Sequence, residues 1–308
     1  MSGAYPVRAI PPVVSRTRSA TMSGIAPRIG TLVVQAPHEK GIVSAVSQLL
    51  ARHGSTVLDS AHFSDAASQT IFQRLQFDLS ALVDRVTLER ALRELGERFF
   101  MRWRVWYGDR KRRIAILASK QEHCLYDLLI RHRARELDCE ISMVISNHPE
   151  AAPIAHHFNV PFHYLPVTAA TREHQEAAIA ALIDRAGVDL IVLARYMQVL
   201  TPAFVARYPW RVINVHHSFL PAFVGANPYR QAHERGVKMI GATSHYVTSE
   251  LDQGPIIEQA TVRCAHRDSV EDLVRKGREL EKHVLAAAVR WHLAARVVAF
   301  DNKTVVFD

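Results

Sequence analysis

The chain is predicted to be α/β and to hold two units of different design. The first is an N-terminal ferredoxin-like βαββαβ domain; the second is a C-terminal doubly wound, mostly parallel sheet. Three observations predict this. Between residues 31 and 107 the apolar period switches between two and 3.6 in the order strand, helix, strand, strand, helix, strand. From residue 113 onward strands and helices alternate, as they do in a parallel sheet. Between the two lies the polar run Gly108-Asp109-Arg110-Lys111-Arg112. The boundaries expected are an extension over 1–28, a small domain over 29–108 and a larger one over 109–308.

The elements follow in order. Thr31–Ala36 is a short apolar strand, and Pro37-His38-Glu39-Lys40-Gly41 turns it into a helix. There Ile42, Val46, Leu49 and His53 form one stripe, which Gly54 ends. Val57–Phe63 and Thr70–Asp78 read as strands, the second with a polar Gln73 among its apolar positions. Leu88, Leu92, Leu95 and Phe99 give a second helical stripe, and Met101, Trp103, Val105 and Tyr107 alternate as a last strand. In the larger unit, strands are expected at Arg113–Ala118, Glu140–Ser146, Leu190–Leu193 and Val212–His216. Helices are expected at Glu122–Arg135, Ala152–Phe158, Thr171–Ala186 and Asn227–Arg235. Lys238–Tyr246 and Ile256–Arg263 read as paired strands, and a long helix runs from about Ser269 to Val298.

Composition narrows the class. The chain has 308 residues, 48% of them hydrophobic, so it can bury a sizeable core. No apolar run approaches the roughly 18 residues that cross a bilayer. Cys124, Cys139 and Cys264 are odd in number and scattered, which argues for a reducing compartment and against a disulfide framework. The net charge of +8 raises nucleic-acid binding, but the basic residues form no block beyond Arg102–Arg113, and a solvated surface is the reading adopted. Residues 1–28 contain Arg8, Arg16, Arg18 and Arg28 and no acid. Pro6, Pro11 and Pro12 would spoil the amphipathic helix of a transit peptide, so a disordered bacterial extension, or a start at Met22, is expected instead.

Three groups suited to carbonyl chemistry lie on two neighbouring segments. Asn214 and His216 are two apart, so they share one face of a strand near its carboxyl end. Asn214 can donate to an oxyanion and His216 can move a proton near neutral pH. Asp252, in Leu251-Asp252-Gln253-Gly254-Pro255, can orient or deprotonate a water. Taken singly, Asn-x-His and Asp-Gln-Gly-Pro are weak signals. The turn Ser119–Leu125 after the first strand of the larger unit contains no glycine, so it cannot cradle a phosphate with backbone N–H groups. Lys120, His123 and Leu125 are expected to fill that side of the cleft. The seventeen histidines are not spaced as zinc ligands, and the pairs His156-His157 and His216-His217 would face opposite ways on a strand, so no metal is expected.

Together, Asn214-Val-His216, Ser218-Phe-Leu-Pro221 and Leu251-Asp252-x-Gly254-Pro255 resemble the catalytic core of the enzymes that use 10-formyltetrahydrofolate. Within them the run His216–Phe223 resembles the formyltetrahydrofolate deformylases, and the resemblance extends from about residue 29 to the C-terminus. It implies a formyltransferase-like larger domain and hydrolysis of 10-formyltetrahydrofolate to formate and tetrahydrofolate. That reaction would supply formate for purine synthesis and balance the folate pool. It implies Asn214, His216 and Asp252 as catalytic residues, water as nucleophile and no cofactor. Met197, Gln198, Val199, Leu200 and Val247 would line the pterin pocket, Gly225 would lie near the formyl group, and His245 would stand behind Asp252. Ala36–Val43 resembles an ACT domain, with His38 and Ser55 departing from its usual Asp and Asn. That resemblance implies an amino-acid effector, glycine or methionine, near His38, Gly41 and Ile42. A homo-oligomer in the bacterial cytoplasm, with no nucleic-acid or membrane partner, is expected. The competing expectation is formyl transfer to an amine.

Overall fold

A computed structural model of the chain describes residues 28–221 and 228–308. The extension before residue 28, and Gly225, lie outside the described residues. The first unit comprises β1 (Ile29–Pro37), α1 (Ile42–Arg52), β2 (Val57–Asp65), β3 (Thr70–Asp78), α2 (Arg85–Arg98) and β4 (Arg102–Tyr107). Its strands are antiparallel in the order β2-β3-β1-β4, the ferredoxin-like arrangement. Leu32, Val34, Leu75 and Phe77 from the sheet pack against Val46 and Leu50 of α1 and Leu88 and Leu92 of α2. The α1 stripe is rotated slightly from expectation: Leu50 is buried and Leu49 only partly so. Asp84 caps α2 by accepting from Val86 N and Thr87 N. Gly54 has φ +84°, and a Cβ there would lie 2.4 Å from the carbonyl oxygen of Ala81, so glycine is required where α1 ends.

The second unit comprises β5 (Arg112–Ala118), α3 (His123–Arg133), β6 (Cys139–Ser146), α4 (Ala152–His157), β7 (Phe162–Tyr164), α5 (Arg172–Ala186), β8 (Leu190–Ala194), α6 (Pro202–Arg207), β9 (Val212–His216), α7 (Pro228–Arg235), β10 (Met239–Tyr246), β11 (Ile256–Arg263) and α8 (Val270–Leu293). The sheet order is β11-β10-β9-β8-β5-β6-β7. Strands β7, β6, β5, β8 and β9 run parallel, while β10 and β11 are antiparallel additions. One face packs on α3, α4 and α8, the other on α5 and α6. The chain leaves β5 for β6 on one side and returns to β8 on the other, which opens a crevice at the carboxyl ends of the strands.

Three features depart from expectation. The three-residue β7 and the six-residue α6 are too short for their periodicity to show, although Thr201 and Pro202 form a cap-and-proline start for α6. Helix α8 stops at Leu293, and the chain then forms a hairpin, β12 (Val297–Phe300) and β13 (Lys303–Val306). The stop is a left-handed turn at Ala295, φ +50°, where Ala295 N donates to the His292 carbonyl and Arg296 N to the Trp291 carbonyl, and another part of the chain covers it. Buried Arg74 of β3 donates to the carbonyls of Ala294 and Ala295, both at 3.1 Å, satisfying groups that a helix end leaves open. Phe72, beside it, packs on Phe300 with ring centroids 4.6 Å apart, and Val305 and Phe307 complete the cluster. The outer face of the N-terminal sheet is therefore the seat of the C-terminal hairpin.

Gln73 points the other way, into the core opposite Val34, and is 1% exposed with neither amide atom partnered among the described residues. A buried polar group without a partner costs about 1–3 kcal/mol. Gln73→Met, which keeps the shape and removes the amide, is expected to raise the unfolding free energy by about 1 kcal/mol. An unchanged or lower urea midpoint would show that Gln73 is satisfied in solution.

Candidate active site

The site forms where β9 and β10 end side by side. Asn214 and His216 share one face of β9, and the antiparallel register sets His245 of β10 directly opposite Asn214. The Ser244 hydroxyl donates to the Asn214 carbonyl at 2.9 Å and holds the two strands together there. The loop after β10 folds back to present Asp252, whose φ is +55°, a conformation that Asp tolerates better than most residues. That fold-back depends on Gly254: a Cβ there would lie 1.7 Å from the Tyr246 carbonyl oxygen.

The Asp252 carboxylate is shared by two imidazoles. His216 Nδ1 lies 3.1 Å from Oδ2 and His245 Nε2 lies 3.5 Å from Oδ1. Burial would raise the Asp252 pKa, but hydrogen bonds from His216 and His245 outweigh it and hold the carboxyl well below the usual carboxylate range. His245 Nδ1 is 2.9 Å from the Tyr246 carbonyl, which can only accept, so Nδ1 carries a proton. Nε2 of the same ring lies 3.3 Å from Asn214 Nδ2, so Asp252 and Asn214 meet at one imidazole nitrogen. His216 Nε2 is buried, has no partner among the described residues, and belongs to a residue lining the cavity.

The cavity has a volume of about 690 Å³, within the size range of pockets for drug-sized ligands. Met197, Gln198, Val199, Leu200 and Val247 all line it, as does His245. Ser119 secures the segment after β8: its hydroxyl accepts from Met197 N at 3.1 Å and donates to Asn147 Oδ1 at 2.6 Å. His38 and Gly41 lie far along the chain in the turn before α1. Gly41 has φ +92° with open space where a Cβ would stand, His38 is exposed, and the Ile42 side chain is buried in the core.

The wall facing α3 differs from expectation. His123 does line it, but Leu125 is fully buried in the core and Lys120 is exposed and away from the lining. The reason is helical: α3 begins at His123, so two residues further on the side chain has turned about 200°. Gln121 fills the wall instead, accepting from Arg278 at 3.2 Å. Behind it sits a carboxylate that sequence reasoning missed. Glu281 is 1% exposed and is bound by His123 Nε2 at 2.7 Å and by the Tyr229 hydroxyl at 2.7 Å, with Arg195 Nε at 3.4 Å. Burial opposes its ionisation, yet the His123 hydrogen bond and the Arg195 charge hold its pKa below the ordinary value. Gly277 makes the approach possible, since a Cβ there would lie 2.0 Å from the Tyr229 hydroxyl. A signal was available: Glu281 is an acid on the apolar stripe Gly277, Val284, Leu285, Ala288 of α8.

His123, Cys124 and Glu281 offer donor atoms within 4.8 Å of one another. Their chemistry does not suit a cation. Glu281 is already engaged by a phenol, an imidazole and a guanidinium, and burial followed by the Glu281 charge pushes the Cys124 thiol well up. A second correction concerns His217. It does not face away from His216: β9 ends at His216, the period of two ends with it, and both rings line the cavity with centroids 5.0 Å apart. Burial, followed by the Arg195 charge, lowers the His217 pKa to about 4, so this ring is neutral at physiological pH. His156 and His157 lie on α4, not on a strand.

These residues stand in a recognisable setting. The family model described as "Formyl transferase" matches residues 112–289. A formyltetrahydrofolate deformylase of Synechocystis is 48% identical over 278 residues, covering 90% of this chain and 98% of that protein. The crystal structure of a formyltetrahydrofolate deformylase from Pseudomonas syringae matches with a TM-score of 0.89 at 46% identity, covering 92% of this chain and 96% of that one. The glycinamide ribonucleotide transformylase 1 of Symbiobacterium toebii matches with a TM-score of 0.62 at 33% identity, covering 66% of this chain and 97% of that one. The likeness to the transformylase thus spans part of the chain and the likeness to the deformylases nearly all of it, N-terminal unit included. The chain belongs to the formyltetrahydrofolate deformylase family.

Proposed function

We propose that the chain is a hydrolase that converts 10-formyltetrahydrofolate to tetrahydrofolate and formate, with Asn214, His216 and Asp252 at the reacting carbon. The observation that carries this is the Asp252 carboxylate held between two imidazoles at one end of a cavity that can take a folate. Water adds to the formyl carbon and gives a proton toward Asp252 as the C–O bond forms. The oxyanion takes hydrogen bonds from Asn214 Nδ2 and from Nε2 of protonated His216. Collapse breaks the C–N10 bond, and the proton passes from Asp252 to N10. A carboxyl held so far below its usual range keeps a proton poorly, which suits a relay rather than a store. His245, fixed by the Tyr246 carbonyl, positions Asn214 and Asp252.

This chemistry calls on water and the chain's own side chains and on no cofactor. The pterin would lie against Met197–Leu200 and Val247. Gln121 and the Glu281 network would occupy the side where an amine acceptor would otherwise enter, which favours water. Formate release would feed purine synthesis. An amino-acid effector at His38 and the Gly41 turn, a homo-oligomer and a cytoplasmic location belong to the same reading. Among the described residues no helix is long and apolar enough to cross a membrane.

Incubation with 10-formyltetrahydrofolate and no acceptor should yield tetrahydrofolate and formate in equal amounts. Formyl loss that requires an amine, with a formylated amine detected by mass spectrometry, would replace hydrolysis by transfer.

Asp252→Asn should lower turnover by about 10²–10⁴-fold while folate affinity stays within a few-fold. The wild-type Asp252 contacts add stability that is fully present above about pH 4, the unfolded carboxyl value, and is lost as pH falls through the lower folded value. The stability deficit of the variant should therefore be constant near neutrality and shrink in acid; a deficit that grows on acidification would contradict the assigned ionisation.

His216→Ala and Asn214→Ala should each reduce kcat by more than they weaken ground-state binding, because both act on charge that develops at the transition state. A rise in KM alone would make either residue a binding group only.

A further inference from the structure

A second cleft, of about 250 Å³, opens between the outer face of the N-terminal sheet, the end of α8 and the turn before β9. Its lining is cationic and aromatic. Arg102 and Arg104 of β4 and Arg112 of β5 border it, with the indoles of Trp106 and Trp210. The Arg112 and Arg104 guanidinia lie 4.5 Å and 5.6 Å from the Trp106 ring centroid. Neighbouring arginines are neutralised: Arg85 holds Asp109, Arg110 holds Asp189 and Arg113 holds Glu140. Among the described residues Arg102, Arg104 and Arg112 pair with no carboxylate.

Two groups register the resulting positive field. Burial, then the Arg112 and Arg104 charges, lower the His292 pKa to about 3. Burial also brings Arg112 down to about 10, with Arg104 and Arg110 acting in the same direction against Asp189. Uncompensated like charges around a concave, partly desolvated space attract an anion. Planar guanidinia beside indole faces favour oxyanions that accept paired hydrogen bonds.

The cleft touches the active site through one residue. Arg112 Nη1 donates to the His292 carbonyl at 2.9 Å, and the His292 Nδ1 is hydrogen-bonded to the Tyr246 hydroxyl at 2.7 Å. The Tyr246 carbonyl in turn receives Nδ1–H of His245, which faces Asp252.

We propose that this interdomain cleft is an effector site for a compact dianion, phosphate or dicarboxylate, held by Arg102, Arg104 and Arg112 and felt at His245 through Tyr246. The binding stands on the cleft itself; its effect on catalysis rests on the hydrolase reading. The volume excludes a second folate and suits a small metabolite.

The test uses the full chain, titrated with inorganic phosphate and separately with succinate. Sodium chloride keeps the ionic strength constant, and tryptophan emission is read because Trp106 and Trp210 line the cleft. A saturable change is expected with one or both anions, and the tighter anion identifies the source. Arg102→Gln and Arg104→Gln, both exposed on an edge strand, should each weaken it by about tenfold or more. Arg93→Gln on the exposed face of α2 should leave it unchanged. At saturating anion, kcat or KM for the formylfolate should shift in the wild type and not in the two cleft variants. No saturable change, or a change of equal affinity in all variants, would overturn the site. Saturable, arginine-dependent binding with unchanged kcat and KM would overturn its role as an effector site. The emission arm needs no turnover, so failure of the hydrolase reading would appear separately, as absent formate release without any anion.

Discussion

The site depends on one shared carboxylate. Asp252 touches His216 with one oxygen and His245 with the other, and neither contact would exist if the loop did not fold back on the end of β10. The fold-back needs a residue without a side chain at Gly254, where the Tyr246 carbonyl lies 1.7 Å from any Cβ. It also needs Asp252 itself in the left-handed region. Backbone geometry is thus spent on holding one anion against two imidazoles. In return the Nδ1 proton of His245 is fixed by a carbonyl, and His216 Nε2 is left without a partner among the described residues. The pair on β9 would otherwise be two polar residues on a strand end.

A second buried carboxylate balances the first from the opposite wall. Glu281 accepts hydrogen bonds from His123 and Tyr229, with the Arg195 guanidinium beside it. In the first turn of the parallel unit, glycines would give backbone N–H groups free to bind phosphate. Here Gln121, His123 and their partners on α8 stand in that position. The two walls therefore differ: Asp252 is shared by the imidazoles of His216 and His245, and Glu281 by an imidazole and a phenol with the Arg195 charge beside it.

Much of this could be read from the chain, for reasons that differ by element. Strands β3, β9 and β11 were legible to the residue, β3 from its alternation and β9 from a short apolar run that ends at His216. The neighbouring positions of Asn214 and His216 followed from the period of a strand. Asp252 could be joined to them only through the resemblance, since no local rule links residues 38 positions apart across a loop. Leu125 was misassigned because it lies on α3 two residues past His123, where the turn of the helix carries its side chain into the core. Glu281 carried a signal, an acid within an apolar stripe, that went unused. The end of α8 carried none: the left-handed turn there uses Ala295 in place of the usual glycine, and Arg74, more than 200 residues away on another sheet, takes up the carbonyls of Ala294 and Ala295.

That distant cap bears on how the two units relate. A ferredoxin-like unit joined only by a polar linker could move freely, and interfaces between domains often permit it. Here Phe72 and Arg74 give up the outer face of the N-terminal sheet to the hairpin and the end of α8. Tyr246 lies beneath that joint with its hydroxyl on His292, and its carbonyl lies on His245. A displacement of the first unit would act on the second at the end of α8, where Arg74 holds the carbonyls of Ala294 and Ala295 and His292 holds the Tyr246 hydroxyl. The small domain is thus joined to the site by the contact it makes as well as by the linker.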